Sequence, residues 1–82
     1  MAAHTTLKVL IAKIDSPVFT GEASAVVVPG VEGEMTILPR HTAIISPLRK
    51  GVITVKTEGG DSTFDVESGT LEMSGNELTI LI

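Results

Sequence analysis

Several residue types that support binding or catalysis are scarce or missing in this sequence of 82 residues. There is no cysteine, tryptophan or tyrosine, and only two phenylalanines are present. The absence of cysteine excludes disulfide bonds and thiolate-based zinc sites. Six lysines and arginines stand against ten aspartates and glutamates, which gives a net charge of −4. Such a chain lacks the basic surface and the stacking aromatic side chains of a nucleic-acid-binding protein.

Long apolar segments are missing as well. The longest unbroken apolar runs contain three or four residues, whereas a transmembrane helix needs about 20. The first six residues contain no charged segment followed by an apolar stretch, so no signal peptide is expected. We therefore expect no direct insertion into a membrane.

The sequence also lacks stretches long enough for a helix. After Pro17, the longest segment without glycine or proline is 61–68, which has eight residues, and an average helix has about 11–12. Valine, isoleucine and threonine together supply 27 residues, and these β-branched types pack well in strands. The spacing of turn signals predicts an all-β sandwich or barrel of about eight to ten short, mostly antiparallel strands.

The chain is predicted to form a single β-sandwich domain over residues 1–82, with residues 1–6 as a frayed tail. Hairpin turns are predicted at Glu58–Asp61 and Ser74–Asn76. The predicted strands are Leu7–Ile14, Val18–Thr20, Ala23–Val28, Glu34–Leu38, Thr42–Ser46, Val52–Thr57, Thr63–Glu67, Thr70–Met73 and Glu77–Ile82.

The pattern of apolar residues along these strands predicts both a core and an exposed surface. In Thr63–Glu67 apolar and polar residues alternate, so Phe64 and Val66 are predicted to face the core. Other strands are apolar on both faces, namely at Val26–Val28, Ile44–Ile45 and Ile80–Ile82. Because a small sandwich cannot bury both faces of many strands, some of these side chains must point outward, which is typical of a partner surface. The alternative is that loops or strand crossings cover these positions.

Candidates for chemistry are few. Glu32 and Glu34 are spaced like a carboxylate pair, and together with His41 they suggest a hypothetical metal site or acid–base site. The alternative, which we favour, is a polar loop whose carboxylates face water. Gly30–Gly33 lacks the lysine and the helix N-terminus of a phosphate-binding loop. We therefore expect no catalytic residue, no metal and no cofactor.

An ordered set of motifs runs from residue 7 to residue 82. It contains an aromatic-Thr-Gly turn, an apolar strand, a Gly-x-x-Gly-Glu loop, an apolar-Pro-x-His corner and a further apolar strand. The segments that carry it are Val18–Gly21, Val26–Ile45, Leu48–Ile53 and Val66–Leu81. Each motif is weak alone, but as a set they resemble the ε subunit of F-type ATP synthases, which is called δ in mitochondria.

The resemblance implies a flattened β-sandwich of ten strands in the rotating central stalk. There the domain would join the γ subunit to the c-ring and couple proton translocation to ATP synthesis, without catalysing a reaction itself. At one end of the sandwich, the resemblance implies a c-ring contact made by Glu32, Gly33, Glu34 and His41. On the apolar outer face, it implies a γ-subunit contact made by Ile44, Ile45 and Ser46. The implied location is peripheral, on the cytoplasmic face of the bacterial inner membrane, or on the matrix or stromal face in an organelle.

The sequence departs from the family pattern in three ways. Arg40 stands where the family usually has glycine between proline and histidine, and Thr70 stands where it often has a second glycine. The sequence also contains no counterpart of the family's C-terminal helical hairpin, which inhibits ATP hydrolysis and, in some members, binds ATP. The resemblance therefore implies that this chain neither binds ATP nor inhibits hydrolysis.

Two other functions compete with this interpretation. The first is an unrelated small β-barrel that binds a peptide or a small ligand, which predicts an open cavity or an exposed sheet edge. The second is a minimal enzyme that uses Glu34 and His41, which predicts turnover that is lost in Glu34→Gln.

Overall fold

The computed structural model describes residues 6–82, which form nine β-strands. Of the predicted tail at residues 1–6, only Thr6 is among the described residues. The others, including His4, lie outside them. Thr6 is held in place, because its Oγ1 donates a hydrogen bond of 2.7 Å to Glu22 Oε1. The strands are β1 Leu7–Lys13, β2 Ser16–Ala23, β3 Ala25–Gly30, β4 Gly33–Ile37, β5 Ile44–Leu48, β6 Gly51–Thr57, β7 Gly60–Val66, β8 Gly69–Ser74 and β9 Glu77–Leu81.

The strands form one curled sheet in the order β2-β1-β9-β8-β5-β3-β6-β7. β4 lies outside this order and pairs with the edge of β3 opposite β6. β5 and β3 meet at a single pair, Gly30 and Leu48, where one half of the sheet passes into the other. Only β1 and β9 pair in parallel, with Lys8 opposite Glu77; the other pairs of strands in residues 6–82 are antiparallel. The predicted all-β class, number of strands and mostly antiparallel pairing are confirmed.

The core is aliphatic and receives side chains from both halves of the sheet. Along β1, β8 and β9 buried and exposed side chains alternate, as a strand with one face on the core requires. The fully buried large side chains are Leu7, Ile11, Ile37, Ile53, Leu71, Met73, Leu78, Ile80, Val26, Val28 and Val55. No polar or charged residue among those described is buried, so this core owes its stability to apolar burial and close packing.

Three prolines lie inside strands, whereas the strands predicted from the sequence exclude them. Pro17 is in β2, Pro29 in β3 and Pro47 in β5, each one position from a strand end. Proline lacks only its own N–H, so a strand can continue through it where the ladder does not need that donor. β2 also continues through Gly21, where a Cβ would lie 3.2 Å from the ring of Phe19. The ring of Phe19 therefore covers the space that a side chain at Gly21 would take.

The expected outward-facing apolar side chains are present on the outer face of β1, β9, β8 and β5. Ile45 is 72% exposed, Leu81 is 55% exposed and Leu10 is 37% exposed. Ile45 pairs with Glu72 and Leu10 with Thr79, whereas Leu81 pairs with Thr70 and with Ala12. This face therefore offers a partner the apolar Ile45 beside an acidic side chain, and Leu81 with Ala12 as a small apolar pair.

The two residues predicted for the core from alternation in β7 behave differently. Val66 is buried, whereas Phe64 is only partly buried and packs against the edge of the core. There its ring meets that of Phe19, with the ring centroids 5.7 Å apart and the planes tilted by 59°. Phe64 is at the margin because β7 ends the sheet, so only β6 flanks it.

Phe64→Ala is expected to lower the free energy of unfolding by about 1–3 kcal/mol. A buried phenylalanine costs about 3–5 kcal/mol when truncated, and the half-buried position reduces this, although the ring pair with Phe19 is also lost. Urea denaturation measures the difference. Phe64→Leu is the control, because it keeps most of the apolar volume and should lower the free energy of unfolding by less. A loss of about 4 kcal/mol or more would mean that Phe64 belongs to the core.

Candidate functional site

The loop between β3 and β4 is a tight two-residue turn that carries one of the candidate carboxylates. Val31 and Glu32 connect the paired residues Gly30 and Gly33. Gly33 has a φ of 136°, a region that side chains strongly disfavour. A Cβ on Gly30 would lie 2.8 Å from the carbonyl oxygen of Gly33, so the turn closes this tightly only with glycine there.

This loop is fastened to the end of β5 from both sides. The backbone N–H of Val31 donates to the carbonyl oxygen of Pro47 at 3.3 Å, and that of Arg49 donates to Pro29 at 2.9 Å. The side chain of Arg49 adds a third bond, from Nε to the carbonyl oxygen of Gly30, at 3.1 Å. These three hydrogen bonds therefore hold the backbone that leads into Glu32.

The carboxylates of Glu32 and Glu34 both face solvent. Glu32 is at the tip of the loop, and Glu34 is on β4 opposite Pro29. No group of three or more histidine, aspartate or glutamate side chains able to hold a metal occurs in residues 6–82. An exposed carboxylate on a rigid loop can accept charge-assisted hydrogen bonds from a partner's arginine, lysine or amide groups.

A groove of about 390 Å³ joins this loop to β5. It is lined by Gly30–Met35 on one side and by Ile44–Pro47 on the other. Six of the seven candidate residues therefore surround one feature, namely Glu32, Gly33, Glu34, Ile44, Ile45 and Ser46.

The β5 side of the groove presents one apolar side chain outward. Ile44 is half-buried against the core, whereas Ile45 is exposed. The hydroxyl of Ser46 donates to the carbonyl oxygen of Pro47 at 3.2 Å. Ile45 is consequently the residue of this strand best placed to bury apolar surface on a partner.

His41, the seventh candidate, does not join the groove. It follows a turn at Leu38–His41, which is closed by a bond of 3.1 Å from the N–H of His41 to the carbonyl oxygen of Leu38. β4 runs from Gly33 to Ile37 between the loop and this turn, a span of about 14 Å at the usual rise of a strand. The expectation that the loop and His41 share one end of the sandwich is therefore wrong for His41. The same separation excludes the close approach of Glu34 and His41 that an acid–base pair would need.

Two residues with structural roles at these features were not singled out from the sequence. Arg49 holds the loop, and Asn76 accepts a hydrogen bond of 2.7 Å from the N–H of Arg40. Arg40 has a φ of 65°, and it stands where the pattern of the resembled family usually has glycine. That missing glycine was the one visible sign that the corner needs support from elsewhere in the fold.

Comparison with known families decides the relationship of the chain. The family model described as the ATP synthase, Delta/Epsilon chain, beta-sandwich domain matches residues 6–82. The chain belongs to this family. The match covers every strand of the delta/epsilon domain described above.

Solved structures show the same fold. A chain in the Euglena gracilis mitochondrial ATP synthase, described with OSCP, F1 and c-ring, superposes with a TM-score of 0.88 at 19% identity. A chain in the central stalk and c-ring structure of the Tetrahymena thermophila mitochondrial ATP synthase has a TM-score of 0.74 at 12% identity. These alignments cover 99% and 90% of the delta/epsilon domain, but only 52% and 60% of the two longer chains. The domain thus spans little more than half the length of these chains.

Among residues 6–82, no helix is long and apolar enough to cross a membrane.

Proposed function

We propose that this chain is the central-stalk domain of an F-type ATP synthase, where it joins the γ subunit to the c-ring and helps to couple proton translocation to ATP synthesis. The observation that carries the proposal is the family match over residues 6–82. The fold shared with chains of two mitochondrial ATP synthase complexes supports it.

The proposed role is mechanical, not catalytic. A stalk domain transmits torque, so it needs a rigid body with two attachment surfaces. The aliphatic core supplies the rigid body. The alternative of an unrelated ligand-binding barrel is not favoured, because the family model matches the whole fold and aliphatic side chains from both halves of the sheet fill its interior.

The c-ring contact in this proposal is the loop with Glu32, Gly33 and Glu34. Its hydrogen bonds to Pro47 and Arg49 restrict its motion, so little conformational entropy is lost when a partner binds. Polar loops of a c-ring that offer arginine or glutamine donors would complement these carboxylates.

The γ-subunit contact in this proposal is β5, with Ile44, Ile45 and Ser46. Ile45 supplies exposed apolar surface. His41 precedes this strand by three positions, at the end of the sandwich away from the loop. We therefore place His41 with the γ contact instead of the c-ring contact.

The proposed location follows from these partners. The domain would be peripheral, attached through γ and the c-ring to the face of the membrane where F1 is found. In a bacterium this is the cytoplasmic face of the inner membrane, and in an organelle it is the matrix or stromal face.

Glu34→Lys tests the c-ring contact. The substitution reverses an exposed charge on β4, so folding should be unchanged while affinity for the γ–c-ring assembly falls about fivefold to thirtyfold, the factor that 1–2 kcal/mol represents. Binding to purified γ–c-ring rotor is measured at low and high salt, because an electrostatic contact weakens with ionic strength.

Glu58→Lys is the matched control for this experiment. Glu58 is also an exposed glutamate, but it lies in the β6–β7 turn at the end of the sandwich away from the loop. It should bind as the parent does. If Glu34→Lys also binds and couples as the parent does, the loop is not the c-ring contact.

A further inference from the structure

The side chain of Asn76 connects three parts of the chain that are far apart in sequence. Its Oδ1 accepts the backbone N–H of Arg40 at 2.7 Å, and its Nδ2 donates to the carbonyl oxygen of Thr6 at 3.0 Å. The carbonyl oxygen of Asn76 itself accepts the N–H of Lys8 at 3.1 Å. One residue in the β8–β9 turn thereby holds both the start of β1 and the corner before β5.

The corner that Asn76 holds has an unfavourable backbone conformation. Arg40 lies in the left-handed region, with a φ of 65°, where a residue with a Cβ is disfavoured. The turn has only one backbone bond of its own, between His41 N–H and the carbonyl oxygen of Leu38. The bond from Arg40 N–H to Asn76 is short, and it fixes the peptide group that must rotate if Arg40 relaxes to an extended conformation.

Asn76 is itself suited to this place. Gly75 and Asn76 have φ values of 58° and 63°, which is the pattern of a type I′ hairpin turn, and asparagine tolerates it well. The tight turn directs the amide side chain of Asn76 toward the corner. Asn76 is accordingly half-buried, whereas its neighbours in the turn are exposed.

We propose that Asn76 is a positioning residue for partner binding: it holds the Pro39–His41 corner in the conformation that presents Arg40 and His41 to the γ subunit. This inference rests on the proposed function, and it assigns a role to a residue that need not touch the partner. Arg40 supplies an exposed cationic side chain four positions before β5 begins.

Asn76→Gly is the decisive variant, because glycine keeps the left-handed backbone of the turn and removes only the side chain. We expect amide hydrogen exchange at Arg40 to accelerate about tenfold, since the N–H loses its acceptor. Exchange at Lys8 should change little, because the carbonyl oxygen of residue 76 remains. Affinity for purified γ should fall roughly fivefold to tenfold.

Two further variants separate positioning from stability. Thr57→Ala removes another side-chain bond at the same end of the sandwich, from Thr57 Oγ1 to the carbonyl oxygen of Gly60, and it should bind γ as the parent does. Asn76→Asp keeps an oxygen acceptor for Arg40, but its second carboxylate oxygen would face the carbonyl oxygen of Thr6 without a hydrogen between them. It should therefore keep the Arg40 amide better protected, and bind γ more tightly, than Asn76→Gly does.

The outcomes distinguish this inference from the proposed function. If the parent chain does not bind γ, the proposed function fails, while the exchange measurement still tests the hold on the corner. If the parent binds and Asn76→Gly binds equally well despite a deprotected Arg40 amide, the positioning role is wrong. An Arg40 amide that stays protected in Asn76→Gly, or a Thr57→Ala variant that loses as much affinity, would overturn it as well.

Discussion

Gly69→Ala is expected to destabilise the domain by about 3 kcal/mol or more, near the upper limit for overpacking. A Cβ at this position would overlap the carbonyl oxygen of Leu81 and approach Ile82. The obstacle is backbone, so it cannot move aside as a flexible side chain would. Relief requires β8 and β9 to separate where Thr70 pairs with Leu81, at the start of β8 and the end of β9. Thermal and urea denaturation of the purified variant measure the loss.

The matched control is Gly59→Ala. Gly59 lies in the β6–β7 turn, and the nearest atom to an added Cβ is Thr57 Oγ1 at 4.0 Å. An alanine there meets no obstacle, so stability should stay within about 0.5 kcal/mol of the parent. Equal stability of the two variants would show that β8 and β9 do not approach each other so closely at Gly69.

Ile53→Ala is the second substitution with a large expected effect, a loss of about 2–5 kcal/mol. Ile53 is fully buried in the middle of β6, so truncation removes apolar burial and leaves a cavity. A domain of this length has a total stability of about 4–12 kcal/mol. The variant should therefore unfold at a clearly lower urea concentration, and a partly unfolded population is expected at 37 °C.

Val52→Ala provides the comparison for this result. Val52 precedes Ile53 on the same strand and is 48% exposed on the opposite face, so its truncation should cost well under 1 kcal/mol. Similar losses at the two positions would contradict the assignment of the inner and outer faces of β6.

Local features of the fold could be predicted from the sequence because local patterns encode them. The hairpin at Ser74–Asn76 was predicted from its composition, and the structure places Ser74 opposite Glu77 across a two-residue turn. Alternation in β7 assigned Val66 to the core and the acidic residues to solvent. Both features depend on residues fewer than about ten positions apart, where backbone preference and side-chain periodicity act directly.

Features that depend on distant contacts could not be predicted in this way. The six residues between Glu34 and His41 do not reveal that the rest of β4 and a turn extend between them. The hydrogen bond from Arg40 to Asn76 joins residues 36 positions apart. Such contacts leave no periodic pattern, so only the glycine-to-arginine departure at position 40 indicated an unusual corner.

The parallel pairing of β1 with β9 has a consequence for synthesis of the chain on the ribosome. Lys8 pairs with Glu77, about 70 positions later, so at about 5–20 residues per second β1 waits roughly 3–14 s for this neighbour. During that time β1 has only β2 beside it, and an isolated two-stranded hairpin is marginally stable in water. Val9 and Ile11, which the complete fold buries, should then be exposed on the nascent chain. This domain should therefore depend on chaperones during translation more than a sheet built from sequential hairpins would.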